Sequence, residues 1–220
     1  MTTIAVIGGT GPQGQGLGYR FARGGYDVVL GSRSEERALE AAAGLNERIS
    51  GPGSLLGVAN TKAVETAGLV VLAVPFDGHQ ELVSDLAPIR GGMFVISCVN
   101  PLGFDRRGPY GLDLNGSSAA EHAQELLPDA SVVGAFHHLS AVSLLGDAPV
   151  LDHEDVLVCG DDNVAKHQVI ELAATITGRP GIDAGALRLA RQLEPLTAVL
   201  ISINKRYKVR SGISISGLDR

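Results

Sequence analysis

Short apolar runs alternate along this chain with stretches in which apolar residues recur every three or four positions. The runs at Ile4 to Ile7, Asp27 to Leu30, Leu55 to Val58, Leu69 to Val74, Met93 to Val99, Ser131 to Ala135 and Asp155 to Cys159 predict strands. Leu69-Val70-Val71-Leu72-Ala73-Val74 has no polar alternation, so both of its faces should be buried, as in a parallel sheet covered by helices on both sides. Helical patterns lie between the strands: Gln13 to Arg23, Ser34 to Ile49, and one opened by a capping box of Ser118 and Glu121. The expected fold class is α/β, a Rossmann-type doubly wound and mainly parallel sheet with a small C-terminal helical cap. After about Gly146 the pattern changes. Asn163 to Thr177 predicts one helix and Leu187 to Lys205 another, in which Pro195 should introduce a bend or open the first half. Residues 1–145 then form the main domain. Residues 146–220 form the cap, one face of it apolar enough to meet another subunit.

Composition narrows the class. The 220 residues are 45% hydrophobic, enough for a sizeable core, and the 29 glycines imply tight turns and closely packed helices. A net charge of -6 argues against a general nucleic-acid binder. No apolar run approaches the length of a bilayer span, and the first residues read as a buried strand rather than an export signal, so no membrane partner is expected. Cys98 and Cys159 each fall inside a strand-like run and read as buried free thiols in a reducing cytoplasm. No Cys or His pair has metal-ligand spacing.

The segment Gly9-Thr10-Gly11-Pro12-Gln13-Gly14 matches the G-x-G-x-x-G pattern. Its setting gives it weight, because a buried-type strand precedes it and an amphipathic helix follows. The first glycine permits the tight turn and the second lets backbone approach a pyrophosphate. The third brings helix and strand close, leaving the helix N-terminal amides aimed at the phosphates. The end of the second strand selects the dinucleotide. An NAD-preferring site usually has a carboxylate there. This chain has Leu30-Gly31-Ser32-Arg33, with Arg37 one turn into the next helix, and these groups suit a 2′-phosphate. NADP is therefore the expected cofactor of residues 1–145. The competing reading is a capping box of Ser32 and Glu35 with both arginines solvated.

Catalytic groups are harder to find. Val74-Pro75 ends the fourth strand and should border the cofactor; His79 either touches it or sits on a solvated helix turn. No Tyr-x-x-x-Lys pair follows the central strands. His137 and His138 are the best general-acid candidates, although a histidine after a strand is often only a structural hydrogen bonder. The loops Asn100-Pro101-Leu102-Gly103 and Leu139-Ser140-Ala141-Val142 should line a small apolar crevice. Such a crevice suits two stacked rings between which hydride passes directly, with the protein supplying position. The basic run Lys205-Arg206-Tyr207-Lys208-Val209-Arg210 reads as a solvated helix end or, with Arg106 and Arg107, as an attractor for an anionic ligand tail.

Several segments together resemble the coenzyme F420-dependent NADP oxidoreductase family: Gly8-Gly9-Thr10-Gly11, Gly31-Ser32-Arg33, Gly134-Ala135-Phe136-His137, Val158-Cys159-Gly160-Asp161-Asp162, Asp183-Ala184-Gly185, and Arg191 to Thr197. They span nearly the whole chain. The resemblance implies reversible hydride transfer between NADP(H) and the deazaflavin coenzyme F420, and a homodimer. It implies that Thr10, Gly11, Pro12 and Gln13 hold the pyrophosphate, and that Ser32, Arg33 and Arg37 match the family's 2′-phosphate contacts. Val74, Asn100 and Ala141 would border the nicotinamide, His137 would lie near the deazaflavin, and the cap would contribute to the deazaflavin site and the dimer contact. The stretch from Pro75 to His79 is one residue looser than the family pattern, and Asn100-Pro101 replaces a more apolar pair. Two other readings fit the residues: an NADPH-dependent reductase of a flavin, metal or imine, and a non-catalytic NADPH-sensing module.

Overall fold

The computed structural model describes residues 2–86 and 92–218. In chain order the elements are β1 (Ile4–Ile7), α1 (Pro12–Arg23), β2 (Asp27–Ser32), α2 (Glu35–Asn46), β3 (Ser54–Ala59) and α3 (Asn60–Thr66). Then follow β4 (Leu69–Leu72), α4 (His79–Asp85), β5 (Phe94–Ser97), β6 (Leu102–Asp105), β7 (Gly108–Gly111) and α5 (Ala119–Leu126). The chain closes with β8 (Ser131–Gly134), α6 (Ala141–Leu144), β9 (Leu157–Gly160), α7 (Asn163–Thr177), β10 (Ile182–Gly185) and α8 (Ala190–Tyr207).

Eight strands form one sheet in the order β10-β9-β8-β5-β4-β1-β2-β3. Six of them, β3 through β8 in that order, are parallel and follow the doubly wound Rossmann arrangement. The expected fold class is therefore observed. Helices cover both faces. Leu17 and Phe21 of α1, Leu45 of α2 and Val169 and Ile176 of α7 pack in one core cluster. Val64 of α3, Val83 of α4, Ala119 of α5 and Leu193 of α8 pack in the other. This explains the uninterrupted apolar run at β4, whose four residues are all buried.

Several boundaries differ from the sequence reading, each for a local reason. Helix α2 stops at Asn46 rather than Ile49, because the Asn46 amide turns back to bond the Leu55 backbone at 2.8 and 2.9 Å. Strand β9 begins at Leu157, since Asp155 instead bonds the returning C-terminal segment through Ile213 O (2.7 Å) and Ile215 N (2.6 Å). A 3-10 turn at Leu187–Leu189 precedes α8, which then runs unbroken through Pro195. Pro195 packs against Gly111, where a Cβ would come within 2.6 Å of the proline Cβ. Residues beyond 146 are more than helices: β9 and β10 extend the sheet, β9 antiparallel to β8 and β10 parallel to β9. Strand β10 and the β6–β7 hairpin were not anticipated.

Candidate functional site

The glycine turn between β1 and α1 is built by close contact. A Cβ at Gly9 would lie 2.8 Å from Leu30 Cβ, and one at Gly14 only 2.4 Å from Gly8 O. At Gly11 the nearest atom is 3.4 Å away, so its outward side is open for a ligand to approach. Gly11 is the extended N-cap of α1 and no side chain satisfies the first-turn amides. A helix N-terminus left this way has donors and a positive dipole end for an anion.

At the tip of β2, Ser32 is buried; its hydroxyl accepts from Ser34 N (3.2 Å) and lies 3.4 Å from Thr10 Oγ1. The cap of α2 is Ser34, which accepts from Arg37 N at 3.3 Å, so the Ser32–Glu35 capping box does not form. Arg33 and Arg37 are exposed and join no ion pair among the described residues.

From the turn a crevice of about 480 Å³ runs across the carboxyl ends of the strands. Gly11, Pro12 and Gln13 begin it; Val74, Pro75 and Asn100 flank it; His137, His138 and Ala141 lie further in. No lysine, arginine or carboxylate is among its described lining residues. The His137 ring is 3% exposed and neither ring nitrogen has a hydrogen-bond partner. Burial, with a smaller contribution from His138, pushes its pKa down to about 3, so the ring is neutral across the physiological range. Its main chain is firmly held. The carbonyl accepts from Asn100 Nδ2 and Thr197 Oγ1, both at 3.1 Å, and the preceding Phe136 adopts φ of 62° while its ring packs edge-on against Phe21. A bulky residue in left-handed conformation persists only where surrounding contacts impose it. Asn100 Oδ1 is a further buried atom without a partner in this wall.

His138 does what a structural histidine does, bonding Leu193 O of α8 at 2.7 Å. His79 fits neither sequence reading. It is 1% exposed at the start of α4, stacked on Phe76, and absent from the crevice wall. Burial lowers its pKa to about 4. Both cysteines are free and buried, as expected; Cys98 lines the crevice, but burial pushes its thiol up to about 12, so it is not a nucleophile.

The sequence reading missed the wall opposite the strands. Thr197, Leu200, Ile201 and Asn204 of α8 line it, joined by Ser211 from the segment that doubles back after the left-handed Lys208. The signal was the i, i+3, i+4, i+7 spacing of the four α8 residues, which looks the same as an ordinary core stripe. Lys205 and Arg206 do meet Arg107, but in a separate groove of about 730 Å³ lined also by Val199, Ser202 and Ile203. Those positions fall on the side of α8 opposite the crevice stripe.

Comparison with known proteins bears on this geometry. Residues 3–101 match the family model described as NADP oxidoreductase coenzyme F420-dependent. The F420-dependent NADP reductase of Methanocaldococcus jannaschii is 35% identical over 98% of this chain and 99% of its own. That of Methanothermobacter thermautotrophicus is 38% identical over 98% and 95%. Metalloreductase STEAP3 of Rattus norvegicus is 31% identical over 88% of this chain but 36% of its own. A crystal structure from Arthrobacter sp. FB24, assigned as an F420-dependent NADP reductase, superposes with a TM-score of 0.83 at 25% identity, covering 99% and 100%. The glycine turn, the crevice and the α8 wall thus lie within a full-length match, and the chain belongs to the F420-dependent NADP reductase family.

Proposed function

We propose that this chain transfers hydride reversibly between NADP(H) and coenzyme F420. The observation that carries the reading is a single crevice that starts at uncapped helix amides and ends in a wall without charged side chains. Gly9 to Gly14 would hold the pyrophosphate, and Ser32, Arg33 and Arg37 the 2′-phosphate. Val74, Pro75, Asn100 and Ala141 would border the nicotinamide, with His137 beside the deazaflavin. Asn100 Oδ1 and the His137 nitrogens, buried and unpartnered, are groups that a bound ring amide or carbonyl would satisfy. The two coenzymes supply the donor and acceptor carbons. The protein aligns the rings, and the proton that balances hydride reduction of the deazaflavin exchanges with solvent at the coenzyme's heteroatoms, since the His137 imidazole is neutral.

Residues 1–145 would then be the NADP-binding domain. Residues 146–220 would complete the deazaflavin side through α8 and the returning tail. A homodimer is supported by the groove between α8 and the β6–β7 hairpin and by exposed Val199, Tyr207 and Phe104 nearby. Two free thiols fit a cytoplasmic location. The test is NADPH oxidation on addition of purified F420, read at the deazaflavin absorbance; no turnover refutes the reading. Metal reduction, the second reading, rests on the STEAP3 match and would be shown by NADPH oxidation with ferric chelates alone.

A further inference from the structure

Arg20 is the largest fully buried side chain of the molecule among the described residues, at 1% exposure, and none of its bonds goes to a carboxylate. Its guanidinium instead donates to five backbone carbonyls. Nε reaches Leu144 O at 2.7 Å, Nη2 reaches Ser143 O and Gly146 O at 2.8 and 3.3 Å, and Nη1 reaches Ala148 O and Pro149 O at 2.7 and 3.2 Å. These carbonyls are the C-terminal end of α6 and the turn that follows it. A four-residue helix is too short to hold itself; its Ala141 and Ser143 carbonyls accept from the amides of Leu145 and Gly146, while its last carbonyl, Leu144 O, accepts from Arg20. A cation at that end satisfies it and complements the helix dipole.

One turn earlier on α1, Gly16 gives α6 its seat. A Cβ there would fall 2.7 Å from Leu144 Cβ, inside the separation that carbon atoms tolerate. The other end of α6 is the functional one, because Ser140, Ala141 and Val142 line the crevice. The same helix α1 opens at Gly11–Gln13, where the crevice begins. One rigid rod therefore carries both the phosphate end and, through Gly16 and Arg20, the wall at the ring end.

We propose that Arg20, seated with Gly16, is a positioning residue that sets the distance between the α6 wall and the cofactor, and so the stacking of donor and acceptor rings. This rests on the hydride-transfer reading above. A misplacement of about 1 Å costs on the order of 100-fold in a reaction governed by alignment. The residue touches neither ring nor phosphate, so its loss should leave cofactor binding intact while slowing transfer.

Two variants test this. Arg20→Met removes the five bonds at similar length, and Gly16→Ala displaces α6 while favouring the α1 helix and leaving the arginine in place. Each should slow single-turnover transfer from NADPH to F420 by roughly 10- to 100-fold, with NADPH affinity changed by less than about twofold. Each should also alter the emission of bound NADPH, which reports the ring's surroundings and needs no F420. Arg20→Lys, with at most three donors, should recover part of the rate. Unchanged transfer and emission in Gly16→Ala overturns the proposal, as does a parallel loss of rate and NADPH affinity in both variants. If wild type fails to reduce F420 but the emission changes appear, the clamp stands and the hydride-acceptor reading falls.

Discussion

The phosphate end and the ring end of the crevice are made by different physics. At the proposed phosphate end the available groups are backbone amides and exposed guanidiniums, supplied by two adjacent strand-to-helix turns. Recognition there would be electrostatic, open to water and weakened by salt. At the ring end the wall is assembled from segments as far apart as Val74 and Ser211, has no charged side chain among its described residues and keeps the His137 imidazole neutral. In the proposed reading the first end would choose which dinucleotide is held, and the second would decide, by shape, what the held ring can react with.

Variants at each end separate the two. The largest effect belongs to Gly14→Val, which drives a branched side chain into Gly8 O. The displaced turn would lose charge-assisted amide bonds to the pyrophosphate, each about 1.5 to 3 kcal/mol, so the dissociation constants of NADPH and NADH alike should rise by roughly a hundredfold or more. Loss of NADPH alone would show that the turn does not hold the pyrophosphate they share. Arg33→Ala should discriminate where Gly14→Val does not. Charge-assisted bonds contribute about 1.5 to 3 kcal/mol, so NADPH should weaken roughly 10- to 100-fold while NADH barely changes. Equal loss of both would make Arg33 structural.

At the ring end, His137→Ala should slow turnover by about tenfold at most, against about 100- to 10,000-fold for a true general acid. NADPH deuterated at the transferred position should leave its label on the deazaflavin carbon; label washed into solvent would reinstate an acid–base step. The same residue has a stability signature. Its pKa is depressed to about 3 from 6.5 by burial, so between those values the unfolded chain binds the extra proton and stability falls with falling pH. The contribution is fully present above about pH 6.5 and is lost by up to about 1.4 kcal/mol per unit as acid is added. Melting curves of His137→Phe should show a flatter acid limb, and an unaltered limb would mean the imidazole is hydrated. The smallest effect is expected from the double reversal Lys205→Glu and Arg206→Glu. Because these cations face away from the crevice stripe, the Michaelis constant for F420 should move by no more than about twofold at ordinary salt. A large rise that salt abolishes would mean that the coenzyme tail wraps around α8.

What could be read in advance follows the same division. The glycine turn, Ser32 and Arg33 are consecutive residues whose spacing is itself the signal, and β4 announces its burial by having no polar position. The ring end has no local signature. Thr197, Leu200 and Ile201 form an ordinary-looking helical stripe, and Ser211 reaches the crevice only because the chain reverses at Lys208. The β6–β7 hairpin has little strand signal because Leu-Gly-Phe-Asp and Gly-Pro-Tyr-Gly are only four residues each, carry glycine and proline, and contain no β-branched residue. His79 misled in the opposite way: its position after a strand suggested the cofactor, but tertiary packing turned it against Phe76. Arg20 looked like a basic residue in the last turn of an amphipathic helix, and nothing local reveals that five remote carbonyls surround it.

The doubling-back of the chain after α8 also sets an order of events during synthesis. The glycine turn packs against Ala73 and Val74, so the groups that contact it have emerged once the first third of the chain is made. The opposite wall needs Ser211, whose hydroxyl bonds Leu200 O and whose amide bonds Asn204 Oδ1. The proposed phosphate-binding residues are therefore made long before Ser211, and a chain clipped ahead of Ser211 would keep them while lacking part of the wall for the second ring.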